Sequence, residues 1–249
     1  MQTFNKLIAN ITHNYLYLDG NAVPLKVIPE LPPTLKVLYC NYLVCNQLPS
    51  LPPGLEKLIC HYTPITSLPP LPPTLKVLDC IESNLTSLPE LPPTLEVLIC
   101  ARSKITNLPP LPRTLKTLWV HDTQLESIPE LPPNLEYFNC AYNAKITYIP
   151  PLPLTILEFN CYITNVSELP DLPLSLKRLQ CWRCPLILER DYNQSIENYI
   201  ECWRELHSKR RCQKRCKTIK EDLIMEVMHP RRIEKLVENY GMEILEACF

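Results

Sequence analysis

The sequence predicts an α/β repeat solenoid: a parallel β-sheet on one side, a polyproline II convex side, and a helical C-terminal cap. Three observations predict it. A Leu/Ile-Pro-x-Leu-Pro block recurs at Ile28, Leu48, Leu68, Leu88, Leu108, Ile128, Ile149 and Leu169. The 249 residues hold 28 prolines and 3 glycines, where average usage would give roughly 12 and roughly 17. Past Leu188 proline nearly vanishes and charge rises. The expected divisions are an N-terminal cap and degenerate first repeat over 1–27, repeats over 28–188, and a helical cap over 189–249.

Composition excludes several classes. Gly20, Gly54 and Gly241 are far apart, so no glycine-rich loop can cradle a phosphate or a dinucleotide. Hydrophobic content of 46% with a net charge of −1 argues against disorder. The prolines must therefore sit in ordered structure. Near-neutrality removes any global attraction to nucleic acid or to a membrane. No run of about 18 apolar residues exists, so no spanning helix is expected. The first 15 residues lack the basic start and apolar stretch of a signal peptide. With 13 cysteines, that points to a reducing, cytoplasmic compartment.

Each element follows from the 20-residue unit. In the copy starting at Leu75, Leu78 holds position four and Cys80 position six, with variable residues between. That alternation is strand period. Leu38, Leu58, Leu78, Leu98, Leu118, Phe138, Phe159 and Leu179 fill position four. Position six holds Cys in every copy except Val120. Both sets should point inward and stack in columns. Eight strands about 4.8 Å apart span on the order of 35 Å, and a first strand is expected near Tyr15–Asp19. The one 21-residue interval places an extra residue within Tyr142–Lys145, read as a bulge or widened turn. No helix can run through Leu-Pro-x-Leu-Pro-Pro, so the return limb should be polyproline II. Such limbs are expected to need few left-handed residues, in keeping with the scarcity of glycine.

The unit matches L-x-x-L-x-L-x-x-N-x-L, with Cys at position six and a small polar residue at position nine. It resembles a leucine-rich repeat. Its length and Leu-Pro-x-Leu-Pro segment are similar to the short repeats of bacterial effectors. They are also similar to Pro- and Cys-rich repeat proteins of giant DNA viruses of amoebae. The resemblance covers about residues 15–188 and implies a protein-binding role. Some such effectors carry a C-terminal ubiquitin-ligase domain. Only about 60 residues follow the repeats here, too few for one on domain-size grounds, so no enzymatic activity is expected.

The cysteine column admits three readings. A disulfide ladder is one, since neighbouring position-six residues are expected to have Cα atoms close enough for bridging. A zinc site could draw on Cys181, Cys184, Cys202, His207, Cys212 and Cys216. The favoured reading is a stack of small buried hydrophobes, with Cys184 at position nine satisfying backbone N–H groups of its turn. No cofactor or metal is expected. His61 and His121, at position seven, face away from the column and are not placed to activate a thiol.

Positions three, five and seven should form the strand face, where a solenoid usually binds. Its middle reads apolar: Ile59, Val77, Ile81, Val97, Ile99 and Trp119. Aromatic and polar neighbours flank it, and the expected partner-binding set adds Tyr39, His61, Asp79, His121, Tyr137, Tyr162 and Trp182. Apolar patches with aromatic anchors mark protein-binding surfaces. A second copy or the chain's own tail are the alternative occupants, and β-branched residues favour strands in any case. Nucleic acid is not the natural ligand, because the face lacks a Lys/Arg cluster.

In the tail, Tyr192, Ile196, Tyr199 or Ile200, Trp203 and Leu206 fall at helical spacing. Further helices are expected around Ile219–Met228 and over Arg231–Tyr240, stopped by Gly241. A solenoid end needs a cover, which is the tail's expected role. Arg204–Lys220 holds eight Lys/Arg and one Glu, a run read first as a solvated helix face. Met228–Glu238, with its His-Pro-x-Arg core, resembles a short C-terminal module of giant-virus proteins.

Overall fold

The computed structural model describes residues 14–19, 28, 30–181 and 183–185. The chain divides into two compact units, Met1–Asn193 and Gln194–Phe249, and every described residue belongs to the first. Nine strands form one sheet in sequence order: β1 (Tyr15–Asp19), β2 (Val37–Asn41), β3 (Lys57–Ile59), β4 (Val77–Asp79), β5 (Val97–Ile99), β6 (Thr117–Trp119), β7 (Tyr137–Asn139), β8 (Glu158–Asn160) and β9 (Arg178–Gln180). All neighbours pair parallel and in repeat register, Leu58 against Leu78 and Leu78 against Leu98. β1 lies where the sequence places it. No α-helix occurs among the described residues, and the expected helical cap lies outside them.

The inward columns form the core. Leu38, Leu58, Leu78, Leu98 and Leu118 at position four are fully buried, as are Cys40, Cys60, Cys80 and Cys100 at position six. Leu35, Leu55, Leu75, Leu95, Leu115 and Leu135 close it at position one. Ile65, Leu85, Ile105 and Leu125 close it at position eleven. The extra residue is a widened turn. Ile146 N–H donates to Asn143 O at 3.1 Å, which returns Ile146 to full burial in the position-eleven column.

The Pro-x-x segment that precedes each strand from β2 onward, Pro-Pro-Thr in three coils, is a tight turn. Leu75 N–H donates to Pro72 O at 3.1 Å, and the same bond recurs from Leu35 through Leu176. Where a second proline is present it falls at the first central position, which its fixed φ suits; Arg113, Leu154 and Leu174 stand there in the other coils. The threonine then clamps one coil to the one before. Thr94 Oγ1 donates to Pro73 O at 2.6 Å and to Leu75 O at 2.9 Å, and Thr74, Thr114 and Thr155 repeat the pattern. Along the outer edge, Lys36, Glu56 and Lys76 alternate, with contacts of 3.3 and 3.1 Å. Hydrogen bonds from Lys76 and then Lys36 hold the Glu56 carboxyl below its usual range.

The described return limbs hold no positive-φ non-glycine residue, as expected, and the left-handed residues fall elsewhere. Position eight has positive φ in every described coil from β2 onward: Tyr42, Tyr62, Glu82, Arg102, Asp122, Tyr142, Ile163 and Arg183. The cause is the sheet itself. The position-eight N–H continues the inter-coil ladder, as in Tyr62 N–H to Ile81 O at 3.0 Å and Arg102 N–H to His121 O at 2.9 Å. That register requires the chain to turn sharply there, so non-glycine residues are held in a costly conformation. Ile163, β-branched with φ of 53°, is the most strained. Ile163→Asn is expected to raise stability by roughly 0.5–1 kcal/mol, because Asn tolerates this backbone. Urea unfolding checks it, and a lower midpoint would show that Ile packing outweighs the strain.

One expectation is corrected: the position-nine hydroxyls and the Cys184 thiol satisfy carbonyls, not backbone N–H groups. Thr63, Ser103, Thr123 and Thr164 hydroxyls donate to the position-six carbonyl of their own coil, at 2.7 to 3.2 Å. Cys184 Sγ instead reaches back one coil and donates to Cys161 O, at 3.0 Å. A carbonyl buried under the turn needs a donor, which a hydroxyl or thiol supplies.

Candidate functional site

Alternation places positions three, five and seven on the face opposite the core. Pairing aligns Tyr17, Tyr39, Ile59, Asp79, Ile99 and Trp119 in one row across β1 to β6. Lateral stacking leaves Tyr39, Ile59, Ile81, Ile99 and Tyr137 half-buried. Trp119 stands proud at 39% exposure. At the β1 end, the Tyr17 and Tyr39 rings lie 5.7 Å apart. At the other end, Tyr162 meets Tyr142 edge-on at 5.1 Å. Trp182 lies outside the described residues.

The middle of the row is less uniformly apolar than the residue types suggest. His61 Nε2 lies 2.8 Å from Asp79 Oδ2, position seven of one coil against position five of the next. The pair is largely buried, and Asp79 Oδ1 is buried without a partner. His61 N–H donates to Asn41 Oδ1 at 2.9 Å. The pair is therefore a fixed polar point between Ile59 and Ile99. His121 Nδ1 lies 3.3 Å from Asn139 Nδ2. Burial, then Arg102, pushes its imidazole below the usual range, so His121 is neutral at pH 7.

The thiol column lies behind this face. All nine described cysteines are buried thiols. Cys60 Sγ donates to Cys80 Sγ at 3.4 Å, a hydrogen-bond separation well beyond a disulfide's bond length. Burial pushes the Cys100 thiol up to about 12, and Cys140 above the usual thiol range. The sense reverses at two thiols: hydrogen bonding with the Cys40 and then the Cys80 side chains holds Cys60 below the usual range, and hydrogen bonding with the Cys161 side chain brings the Cys184 thiol down to about 6. Among the described residues no group of three or more His, Cys, Asp or Glu is placed to hold a metal. Cys202, His207, Cys212 and Cys216 lie outside them. No helix among the described residues is long and apolar enough to cross a membrane.

The face carries few charges, among them Lys57 and a Glu158–Arg178 pair at 3.1 Å. Beside it on the position-eight column run Glu82, Arg102 and Asp122, with Arg102 paired to both neighbours. Sequence reasoning omitted the exposed Tyr15, Tyr17, Tyr42 and Tyr62. The position-eight tyrosines were findable by treating that column as surface.

No protein-family model matches the chain, and no curated protein does. Solved structures do. YopM from Yersinia enterocolitica WA-314 is 33% identical, over 64% of this chain and 40% of that one, with a TM-score of 0.52. The leucine-rich-repeat domain of a Shigella effector is 28% identical, over 64% and 74%, with a TM-score of 0.51. YopM, a leucine-rich effector of Yersinia pestis, is 25% identical, over 67% and 59%, with a TM-score of 0.50. The matched region thus spans less than half of the first of these chains. The shared feature is the parallel-strand solenoid of about eight turns, so the described part of this chain has the leucine-rich-repeat fold.

Proposed function

We propose that this chain is a non-enzymatic interaction module that binds a protein partner through its strand face. The observation that carries the reading is the row Tyr39, Ile59, Ile99 and Trp119, preformed on a rigid sheet and rimmed by tyrosines. Rigid aromatic anchors ringed by half-buried aliphatics make binding hot spots. The effector proteins that share the fold support the same direction. Resemblance of the repeat and of Met228–Glu238 to giant-virus proteins supports a viral protein acting in the cytoplasm of an amoebal host, against a host protein.

The test is quantitative affinity capture from amoebal lysate with wild-type protein and an Ile59→Ala, Ile99→Ala, Trp119→Ala variant. Loss of one such anchor costs about 30-fold or more in affinity, so the specific partner should fall to background. Half-burial predicts that the variant keeps its circular dichroism spectrum. Equal capture by a folded variant sinks the proposed face.

A further inference from the structure

The cysteine column is not uniform. Cys40 Sγ turns to Ile59 O at 3.6 Å and Cys140 Sγ to Asn160 O at 3.5 Å. Cys60 Sγ instead points along the column, to Cys80 Sγ at 3.4 Å. The two cysteines follow directly on the pairing of Ile59 with Asp79. The ladder continues through them, with Cys60 N–H donating to Asp79 O and Cys80 N–H to Ile99 O, each at 2.8 Å. Strands so paired lie about 4.8 Å apart, inside the Cα range of about 4.4–6.8 Å that a disulfide spans. Closure of the sulfurs to about 2.0 Å is therefore within reach of the side chains and a small local shift.

Cys60 is also the member of this pair best placed to ionise. It has thiol neighbours on both sides, and hydrogen bonding with Cys40 and then Cys80 holds it below the usual range, whereas burial pushes Cys100 up to about 12. The thiolate is the attacking form. We propose that Cys60 and Cys80 are an oxidation site, at which a hydroperoxide converts the thiol pair to an intercoil disulfide that locks the coil between β3 and β4. With hydrogen peroxide, the Cys60 thiolate attacks one oxygen and breaks the O–O bond. Cys60 becomes a sulfenic acid, and the hydroxide released takes up the proton that Cys60 gave up. The Cys80 sulfur then attacks the sulfenyl sulfur, forming the S–S bond and releasing water. The thiol pair loses two electrons and the peroxide is reduced to two waters. Both residues are wholly buried, which keeps out bulky oxidants and suits a water-sized one admitted by local opening.

Val120 supplies the design of the test. It fills position six of its own coil and is as fully buried as the cysteines, so valine suits the column. Reduced full chain is treated with hydrogen peroxide under native conditions, its remaining thiols are alkylated, and the tryptic peptides are mapped by mass. The expected first product is one disulfide joining Leu58–Lys76 to Val77–Arg102, with a mass lower by two hydrogens. Cys100→Val should form the same link, which assigns it to Cys80, while Cys60→Val should form none between these peptides. On oxidation the urea midpoint should rise in wild type and in Cys100→Val, because the link restricts the unfolded chain. It should not move in Cys60→Val. A first linkage between any other two cysteines overturns the proposal. So does Cys60 halted at the sulfinic acid with Cys80 still free, or a linked wild type that unfolds at the reduced midpoint.

Discussion

Phe138→Ala is expected to lower the unfolding free energy by about 3–5 kcal/mol, the cost of emptying an aromatic site in a packed core. Phe138 and Phe159 are each 1% exposed, with parallel rings 5.4 Å apart. They fill position four of β7 and β8, where the other coils from β2 onward carry leucine. Truncation removes a ring and its partner's stacking face together. The surrounding coils are tied by ladder bonds on both sides and cannot collapse inward. A solenoid's stability sums over coils and nearest-neighbour interfaces, so the loss falls at one place in the array. Urea unfolding should then show β1–β6 melting separately from β7–β9, with Trp119 fluorescence on β6 reporting the first part once the other two tryptophans are replaced by Trp182→Phe and Trp203→Phe. Phe138→Leu, restoring the residue of the other coils, should cost less than about 1.5 kcal/mol. A Phe138→Ala loss below about 1 kcal/mol, given the magnitudes for such truncations, would mean that the column is not close-packed.

The architecture was legible because it is written as columns. Period two within the strand and period 20 along the chain place Leu78 and Cys80 inward, and the same arithmetic yields β3 to β9. The extra residue near Lys145 was legible because Ile146 still had to reach its column. What was not legible depends on the third dimension or on residue types that carry no local signal. The His61–Asp79 pair joins different positions of different coils, so neither column shows it. The left-handed position eight is filled by Tyr, Glu, Arg, Asp and Ile, none of them glycine, because the inter-coil hydrogen bond enforces the turn. The threonine clamps carry no signal in the repeat motif, although each lies within hydrogen-bond reach of two carbonyls of the preceding coil. Gly54 is the one place where a described clamp position lacks a side chain. A Cβ there would meet only Lys36, at 3.5 Å and beyond.

The second large effect is expected from Asn143, and it joins the widened turn to the stability of the array. Asn143 is 1% exposed. Its Nδ2 reaches Val120 O at 2.9 Å, Cys140 O at 3.0 Å and Ala141 O at 3.2 Å. Its Oδ1 accepts from Thr123 Oγ1 at 2.7 Å and Thr123 N–H at 3.2 Å. One side chain thus satisfies carbonyls of two coils and holds the preceding turn. Alanine would strand these groups where water cannot reach them, at about 1–3 kcal/mol for each group left unpaired. A net loss of about 2–4 kcal/mol is therefore expected, because the Thr123 hydroxyl proton, released from Asn143 Oδ1, can turn to Val120 O at 3.1 Å. Threonine at 143 keeps a donor for Cys140 O, as Thr63 and Thr164 do for their own coils, and should recover roughly half. A double-mutant cycle with Thr123→Ala separates the inter-coil part, with a coupling of about 1 kcal/mol or more. If Asn143→Ala and Asn143→Thr are equally damaging, the inter-coil bonds dominate. If both are harmless, the widened turn is held by Ile146 alone.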